Sequence, residues 1–272
     1  MIKLIAIDLD GTLLDNEKQI SPANMKALYR AQEAGIKVVL CTGRPYLGMK
    51  NFIEEIGFTD EDEYIVNFNG GQVRRAVDGE VIASQSLSMT DMQTWYEEAT
   101  RLDLPINVID SDWVYEPTAY PEGHPSFYVE KVTTAPSKVV DFADFEADHR
   151  FVKFVITVET EHLESQLPHI QAELREKYAV VRSHPFQLEV MPKGVGKGPA
   201  LEQLGEILGI KTTEMAGIGD EENDRSMLEV VGLPIAMGNA TDEIKALAKH
   251  VTESNTNDGV AHAIDYILNR SE

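Results

Sequence analysis

The segment Ile5-Ala6-Ile7-Asp8-Leu9-Asp10-Gly11-Thr12-Leu13-Leu14 carries two carboxylates, two positions apart, where an apolar run ends. That spacing suits a nucleophile beside a general acid/base. An Asp-Gly turn after a strand is the alternative, and this segment taken alone does not choose between them. Three other loops carry chemical groups. In Thr42-Gly43-Arg44, a hydroxyl and the backbone N–H groups of a helix start could hold an anion, although for Thr42 alone a helix cap is the better reading. Lys197 lies in Gly194-Val195-Gly196-Lys197-Gly198, where glycines allow close approach and the ammonium precedes a helix. A hinge explains the same glycines, and the two roles are compatible. The glycine spacing is not that of a Walker loop, and Gly198 stands where its Ser/Thr would be. The fourth loop, Gly219-Asp220-Glu221-Glu222-Asn223-Asp224, gathers acids at a strand end. Glu221 and Glu222 read as solvated first-turn acids, whereas Asp220 would point toward Asp8. Carboxylates crowded in that way need a hard cation to stay ionised at neutral pH. The spacing excludes an EF-hand, which requires a central glycine and a final Glu.

These loops could share one mouth only if a parallel sheet positions them. Leu4 to Ile7 reads as a strand buried on both faces. Ser21-Pro22 starts a helix that Gly35 ends, Ile36 to Leu40 is a second strand, and Pro45 opens a helix closed by Gly57. Tyr64 to Asn67 is a third strand. The order β-α-β-α-β predicts an α/β fold with a doubly wound, Rossmann-like parallel sheet. From Gln72 to Leu87 two short strands around Asp78-Gly79 read as a hairpin, and a new unit is expected to begin near there. A helix over Thr90–Arg101, a hairpin over Ile106–Tyr115, a strand over Phe151–Val158 and a helix over Glu161–Tyr178, despite Pro168, make this insert α+β. Between Glu116 and Arg150 the periodicity is weak, and a helix is possible. Past Val190 the first pattern returns: a helix over Pro199–Leu208, a strand ending at Gly219, a helix containing Met227-Leu228 and a strand over Pro234–Met237. The expected division is a core of residues 1–83 and 190–272 with an inserted α+β cap domain of residues 84–189, placed as a lid over the site. No internal repeat or low-complexity segment interrupts the pattern.

Composition narrows the partners. With 24 basic and 46 acidic residues among 272, the net charge of −22 would repel nucleic acid or an anionic membrane, and no local basic patch offsets it. A small anionic substrate stays compatible if fixed cations and a metal reverse the potential within the site. The N-terminal residues resemble no signal peptide, no uncharged run could cross a bilayer, and the one cysteine, Cys41, reads as packed; a cytoplasmic protein is expected.

DLDGTLL at the start, TGR after the second strand, the lysine following the insert and GDEEND after a later strand, in that order, resemble the haloacid dehalogenase superfamily of phosphotransferases. The α+β insert between TGR and the lysine is similar to the cap of its Cof-type subfamily. The resemblance implies that Asp8 attacks phosphorus and becomes an aspartyl phosphate, while Asp10 protonates the leaving alcohol and then activates water. It implies Mg²⁺ bound by Asp8, the Asp10 backbone carbonyl and Asp220, with Asp224 behind these ligands. Thr42, Gly43 and Lys197 would hold phosphoryl oxygens, Asn223 would support them, and Arg44 would lie near the phosphate or the cap. A carboxylate at position 10 favours a phosphatase of small phosphorylated metabolites, sugar phosphates first, over a transport ATPase or a dehalogenase. A phosphomutase of the phosphomannomutase kind and a non-catalytic sensor of phosphorylated ligands are the other readings, for a monomer or homodimer. In the insert, His124, Phe127, Tyr128 and His184 are candidates for leaving-group contact, with packing or surface roles favoured for each. Asn69 and Gly70, near a strand end, could face the same mouth.

Overall fold

The structure, a computed structural model, describes residues 1–133 and 135–270. They form two compact units: Met1–Arg44, Met49–Ser84 and residues 196–270 make the first, Pro45–Gly48 and Gln85–Val195 the second. The first opens with β1 (Leu4–Asp8), α1 (Pro22–Glu33), β2 (Lys37–Cys41), α2 (Lys50–Ile56), β3 (Tyr64–Asn67), β4 (Gln72–Arg75) and β5 (Val81–Ser84). The second contains α3 (Met89–Arg101), β6 (Asn107–Ile109), β7 (Val114–Pro117), β8 (Ser137–Val140), β9 (Lys153–Thr157), α4 (Thr160–Gln166), α5 (Ala172–Lys177), β10 (Tyr178–His184) and β11 (Gln187–Pro192). The chain then re-enters the first unit through α6 (Lys197–Leu208), β12 (Met215–Gly219), α7 (Arg225–Val230), β13 (Leu233–Ala236), α8 (Asp242–Leu247), β14 (His250–Val251) and α9 (Gly259–Asn269).

The first unit is an α/β fold whose sheet runs β14-β13-β12-β1-β2-β3-β4-β5. Pairing is parallel from β14 to β3. Leu4, Ile5, Ala6 and Ile7 are fully buried because helices cover both faces of β1. Leu4 and Ala6 join Val39 and Cys41 against Ala200, Leu201 and Leu204 of α6 and Met227 of α7. Ile5 and Ile7 point the opposite way by strand alternation, and α1 and α9 pack together and reach β2 and β12. Burying each such Leu or Ile stabilises the fold by about 1.5–3 kcal/mol. Ser21 caps α1 by accepting the Asn24 N–H at 3.1 Å, with Pro22 in its first turn. The register sets Asp8 beside Cys41 and Ile7 beside Ile218, so the loops after β1, β2 and β12 leave the sheet at one edge.

The Asp78-Gly79 hairpin extends this sheet rather than opening the second unit. β4 pairs antiparallel with β3, Ile65 facing Arg74, and β5 pairs antiparallel with β4. A hairpin needs no crossover helix and can therefore finish the edge of a parallel sheet.

The second unit is a six-stranded sheet, β10-β11-β9-β6-β7-β8, antiparallel except between β7 and β8. Its core includes Trp95, Phe151, Phe154, Ile156, Leu188 and Val190. The helix expected over Glu161–Tyr178 is broken. Pro168, which has no N–H and crowds the preceding turn, lies in a 3₁₀ turn over Leu167–His169 between α4 and α5, and Tyr178 already belongs to β10. Between Glu116 and Arg150 the described residues hold β8, a π-type turn over Tyr128–Val132 and a 3₁₀ turn over Phe142–Asp144. β10 and β11 were not legible as strands, and because β11 continues to Pro192, residues 190–195 lie in the second unit rather than the first. Among the described residues no helix is long and apolar enough to cross a membrane.

Candidate active site

After β1 the chain turns sharply: the Leu13 N–H donates to the Asp8 carbonyl at 3.2 Å and the Leu14 N–H to the Leu9 carbonyl at 2.9 Å. Gly11 makes the turn possible, at φ 88°. A Cβ there would also lie 2.4 Å from Asp220 Oδ2, so backbone conformation and space both require glycine. The turn leaves the Asp8 side chain buried and facing α6.

Lys197, the first residue of α6, joins the two acidic loops. Its fully buried ammonium donates to Asp8 Oδ1 at 2.5 Å and to Asp224 Oδ1 at 2.6 Å. Asp224 Oδ2 in turn accepts the N–H groups of Asp220 and Glu221 at 2.9 and 3.2 Å. Asp220 is held from two sides, by the buried Thr12 hydroxyl at 2.8 Å and by Asn239 Nδ2 at 3.2 Å. One carboxylate oxygen from each of Asp8, Asp220 and Asp224 lies within 4.8 Å of the other two. Among the described residues Asp8 Oδ2 receives no hydrogen bond, which leaves one oxygen of that carboxylate open.

Charge is unbalanced in this cluster. Burial pushes the Asp8 carboxyl up to about 7, with Asp224 and Asp220 adding repulsion and Lys197 opposing them. Burial likewise raises Asp220 to about 6; the Thr12 hydrogen bond resists, and the Asp224 and Glu221 charges add to the rise. For Lys197, burial alone would favour the neutral amine, but Asp8 and Asp224 outweigh it and the ammonium is held more firmly than usual. One ammonium does not neutralise three acids. The donor set is hard carboxylate oxygen, and its residual negative charge is what a small dication corrects, so these residues fit the Mg²⁺ that the sequence led us to expect.

Asp10 is in a different environment. Arg44 grips its carboxylate with Nε to Oδ2 at 2.8 Å and Nη2 to Oδ1 at 2.6 Å, and Lys18 Nζ reaches Oδ1 at 2.8 Å. Burial alone would raise its pKa, but these cations hold it below the usual carboxylate value. Arg44, expected near the phosphate or the cap, pairs here with Asp10.

The loop after β2 brings the rest close. Thr42 is buried and its Oγ1 accepts the Arg44 N–H at 3.1 Å, a loop-capping role that leaves its hydroxyl hydrogen available. Gly43 lies against Asn69, whose side-chain atoms would be 3.2 Å from an added Cβ. Asn69 Oδ1 accepts from Asn223 Nδ2 at 3.1 Å. Phe68, Asn69 and Gly70 all have positive φ, and at Gly70 a Cβ would strike the Gly196 carbonyl at 2.1 Å. This strained turn thus holds the start of α6 against β3.

The sequence missed Thr12, Lys18 and Asn239. Asn239 follows β13, donates to the Gly11 carbonyl at 2.9 Å and to Asp220, and accepts the Asn255 N–H at 2.9 Å. Its position after a parallel strand was the available signal. Of the candidates in the second unit, Tyr128 is core, Phe127 and His184 pack on Phe186, and His124 stacks on His162.

Comparison with known proteins agrees with this architecture. The family model for haloacid dehalogenase-like hydrolases matches residues 5–264. The chain is 36% identical to YxeH of Bacillus subtilis over 268 residues, 98% of this chain and 99% of that one. It is 32% identical to the 5-amino-6-(5-phospho-D-ribitylamino)uracil phosphatase YwtE of the same organism, covering 98% of each. A solved haloacid dehalogenase-like hydrolase from Bacteroides thetaiotaomicron superposes with a TM-score of 0.83 at 32% identity, over 98% of this chain and 100% of that one. The chain belongs to the haloacid dehalogenase-like hydrolase family, and it is an enzyme of phosphatase type.

Proposed function

We propose that the protein is a Mg²⁺-dependent phosphatase of small phosphorylated metabolites, sugar or sugar-alcohol phosphates first, acting through an aspartyl phosphate on Asp8. The observation that carries this reading is the buried cluster in which Lys197 holds one oxygen of Asp8 beside Asp220 and Asp224. The open oxygen of Asp8 attacks phosphorus while the leaving alcohol takes a proton from Asp10; in the second half-reaction Asp10 removes a proton from the water that cleaves the aspartyl ester. Lys197, the Thr42 hydroxyl and the Gly43 backbone would donate to phosphoryl oxygens, with support from Asn223, whose Nδ2 donates to Asn69 Oδ1. Asp8, the Asp10 carbonyl and Asp220 would hold Mg²⁺, with Asp224 orienting Lys197 and the Asp220 backbone; when bound, the ion lowers the repulsion between carboxylate and phosphate.

The ribityl phosphate in the name of YwtE supports a phosphorylated polyol chain as substrate. The TGRPY and SNTNDGVAHAI stretches, similar to those of the bacterial sugar phosphatase YidA, support sugar phosphates. Cytoplasmic residence goes with such substrates and with the lone buried Cys41.

A screen of sugar, sugar-alcohol, nucleotide and cofactor phosphates, comparing kcat/KM with and without Mg²⁺, tests the proposal. Inorganic phosphate released without any bisphosphate activator is the expected result and excludes a mutase. Near-normal hydrolysis by Asp8→Asn protein would overturn it, as would failure to label Asp8 during rapid-quench turnover.

A further inference from the structure

The Ser254-Asn255-Thr256-Asn257-Asp258-Gly259 segment takes no part in the proposed phosphoryl transfer, yet one of its side chains reaches the turn after β1. β12, β13 and β14 pair in parallel with β1, so the loops after β13 and β14 leave the first unit's sheet at the edge where Asp8 ends β1. Those two loops are joined through their backbones, the Gly238 N–H donating to the Glu253 carbonyl at 3.0 Å. The loop after β14 also closes tightly on itself. The N–H groups of Asn257 and Gly259 both donate to the Ser254 carbonyl at 3.0 Å, and the Thr252 hydroxyl donates to the Gly259 carbonyl at 2.7 Å. This fold of the loop turns Asn255 inward, where it is only 8% exposed.

We infer that Asn255 is a positioning residue for Asp220, acting through the side-chain amide of Asn239. The inference rests on the proposed function, in which Asp220 holds Mg²⁺. Asn255 bonds in two directions: its Nδ2 donates to the Leu14 carbonyl at 2.9 Å, and its backbone N–H donates to Asn239 Oδ1 at 2.9 Å. A backbone N–H can only donate, so it selects the oxygen of the Asn239 amide and turns the amide NH₂ the other way. That NH₂ meets two acceptors, the Gly11 carbonyl at 2.9 Å and Asp220 Oδ2 at 3.2 Å. With the amide flipped, an oxygen would face a carbonyl and a carboxylate while an NH₂ faced the Asn255 N–H, and all three contacts would be repulsive. Thr12 donates to the other oxygen of Asp220 at 2.8 Å. Each oxygen of that carboxylate thus takes one neutral donor and keeps a lone pair for a cation.

Leu14 supplies the fixed point. It is fully buried, and its N–H donates to the Leu9 carbonyl at 2.9 Å, within the turn that carries Asp10 and Gly11. Asn255 therefore ties the turn after β1 to the loops after β13 and β14, across 241 positions of sequence. Removing its amide takes a donor from a buried carbonyl and frees the loop whose N–H aims Asn239. Linkage runs both ways: an arrangement that favours Mg²⁺ is itself favoured when Mg²⁺ binds.

A double-mutant cycle on the full-length protein, with Mg²⁺ affinity read by calorimetry, tests the assignment. Asn255→Ala should weaken Mg²⁺ binding by about tenfold. The double variant Asn239→Ala/Asn255→Ala should bind no more weakly than Asn239→Ala alone, because the outer residue acts only through the inner one. Thr256→Ala, at the exposed neighbouring position, should leave the affinity unchanged. In the wild type, saturating Mg²⁺ should slow hydrogen exchange at the Asn255 N–H by about tenfold relative to chelator, a readout that does not depend on a variant folding. Additive losses in the cycle, unchanged affinity in Asn255→Ala, or exchange at Asn255 indifferent to Mg²⁺ would each overturn this assignment and leave the proposed function standing. Wild-type protein that binds no Mg²⁺ would overturn both.

Discussion

Arg44 and Asp10 form a two-pronged ion pair, Nε to Oδ2 at 2.8 Å and Nη2 to Oδ1 at 2.6 Å. The pair fixes the carboxylate in its ionised form, which suits the water-activating half of the proposed reaction better than the protonating half. Loosening it would ease proton transfer to a leaving group.

Arg44→Ala should therefore raise the Asp10 pKa and carry the limb of the kcat/KM profile that reports Asp10 to higher pH. The same shift has a stability consequence. Asp10 is depressed in the folded protein, so its contribution is present above the ordinary value of 3.8 and is lost as pH falls through the lower folded value. Thermal unfolding measured from neutrality into acid should show wild type losing this contribution and Arg44→Ala having little of it to lose.

Lys197 has no solvent exposure and two carboxylate partners. Lys197→Met strands Asp8 and Asp224 in a buried site, which should cost about 3–5 kcal/mol in urea denaturation. Activity should drop by about 10²–10³ through loss of the fixed cation. The stability loss should be smaller at mildly acid pH, where Asp8 can take up a proton.

The Asp8 and Asp220 shifts run opposite to that of Asp10. Their folded pKa values of about 7 and about 6 exceed the ordinary 3.8, so their joint contribution to stability is full below that value and fades as pH rises through 6 to 7. In chelator, unfolding temperature should accordingly fall across that window. Saturating Mg²⁺ should remove the fall by favouring the ionised carboxylates, and a chelated profile identical to the Mg²⁺ profile would contradict the electrostatic account.

Asn239 and Gly11 should matter through Asp220. Asn239→Ala frees one side of that carboxylate and should weaken Mg²⁺ affinity by about 10–100-fold, read by calorimetry. Gly11→Ala places a methyl 2.4 Å from Asp220 Oδ2 on a backbone at φ 88°, so it should lower both metal affinity and stability.

Much of the fold could be read locally. Ser21-Pro22 and Gly35 bound α1, Gly57 closes α2 in the left-handed conformation, and apolar runs at Leu4, Val38 and Ile65 mark parallel strands, because capping and two-sided burial leave patterns within a few residues. β10 and β11 were missed for the same reason in reverse. Arg182, Ser183 and His184 are exposed, so their run lacks the alternation of a half-buried strand, and pairing with β11 fixes them instead. His124 shows the limit at single residues: nothing near it in sequence announces the His162 ring on which it stacks.

The order of residues along the chain determined that Asp8, Thr42 and Asp220 would each stand at the end of a strand, since strand and turn propensities act over short range. Only the tertiary structure decided that Lys197 lies between Asp8 and Asp224, that Arg44 clasps Asp10, and that Asn239 holds Asp220. Those pairings join positions up to 189 apart for Lys197 and Asp8, and side-chain geometry at that separation is set by sheet register and helix packing, which no local pattern encodes.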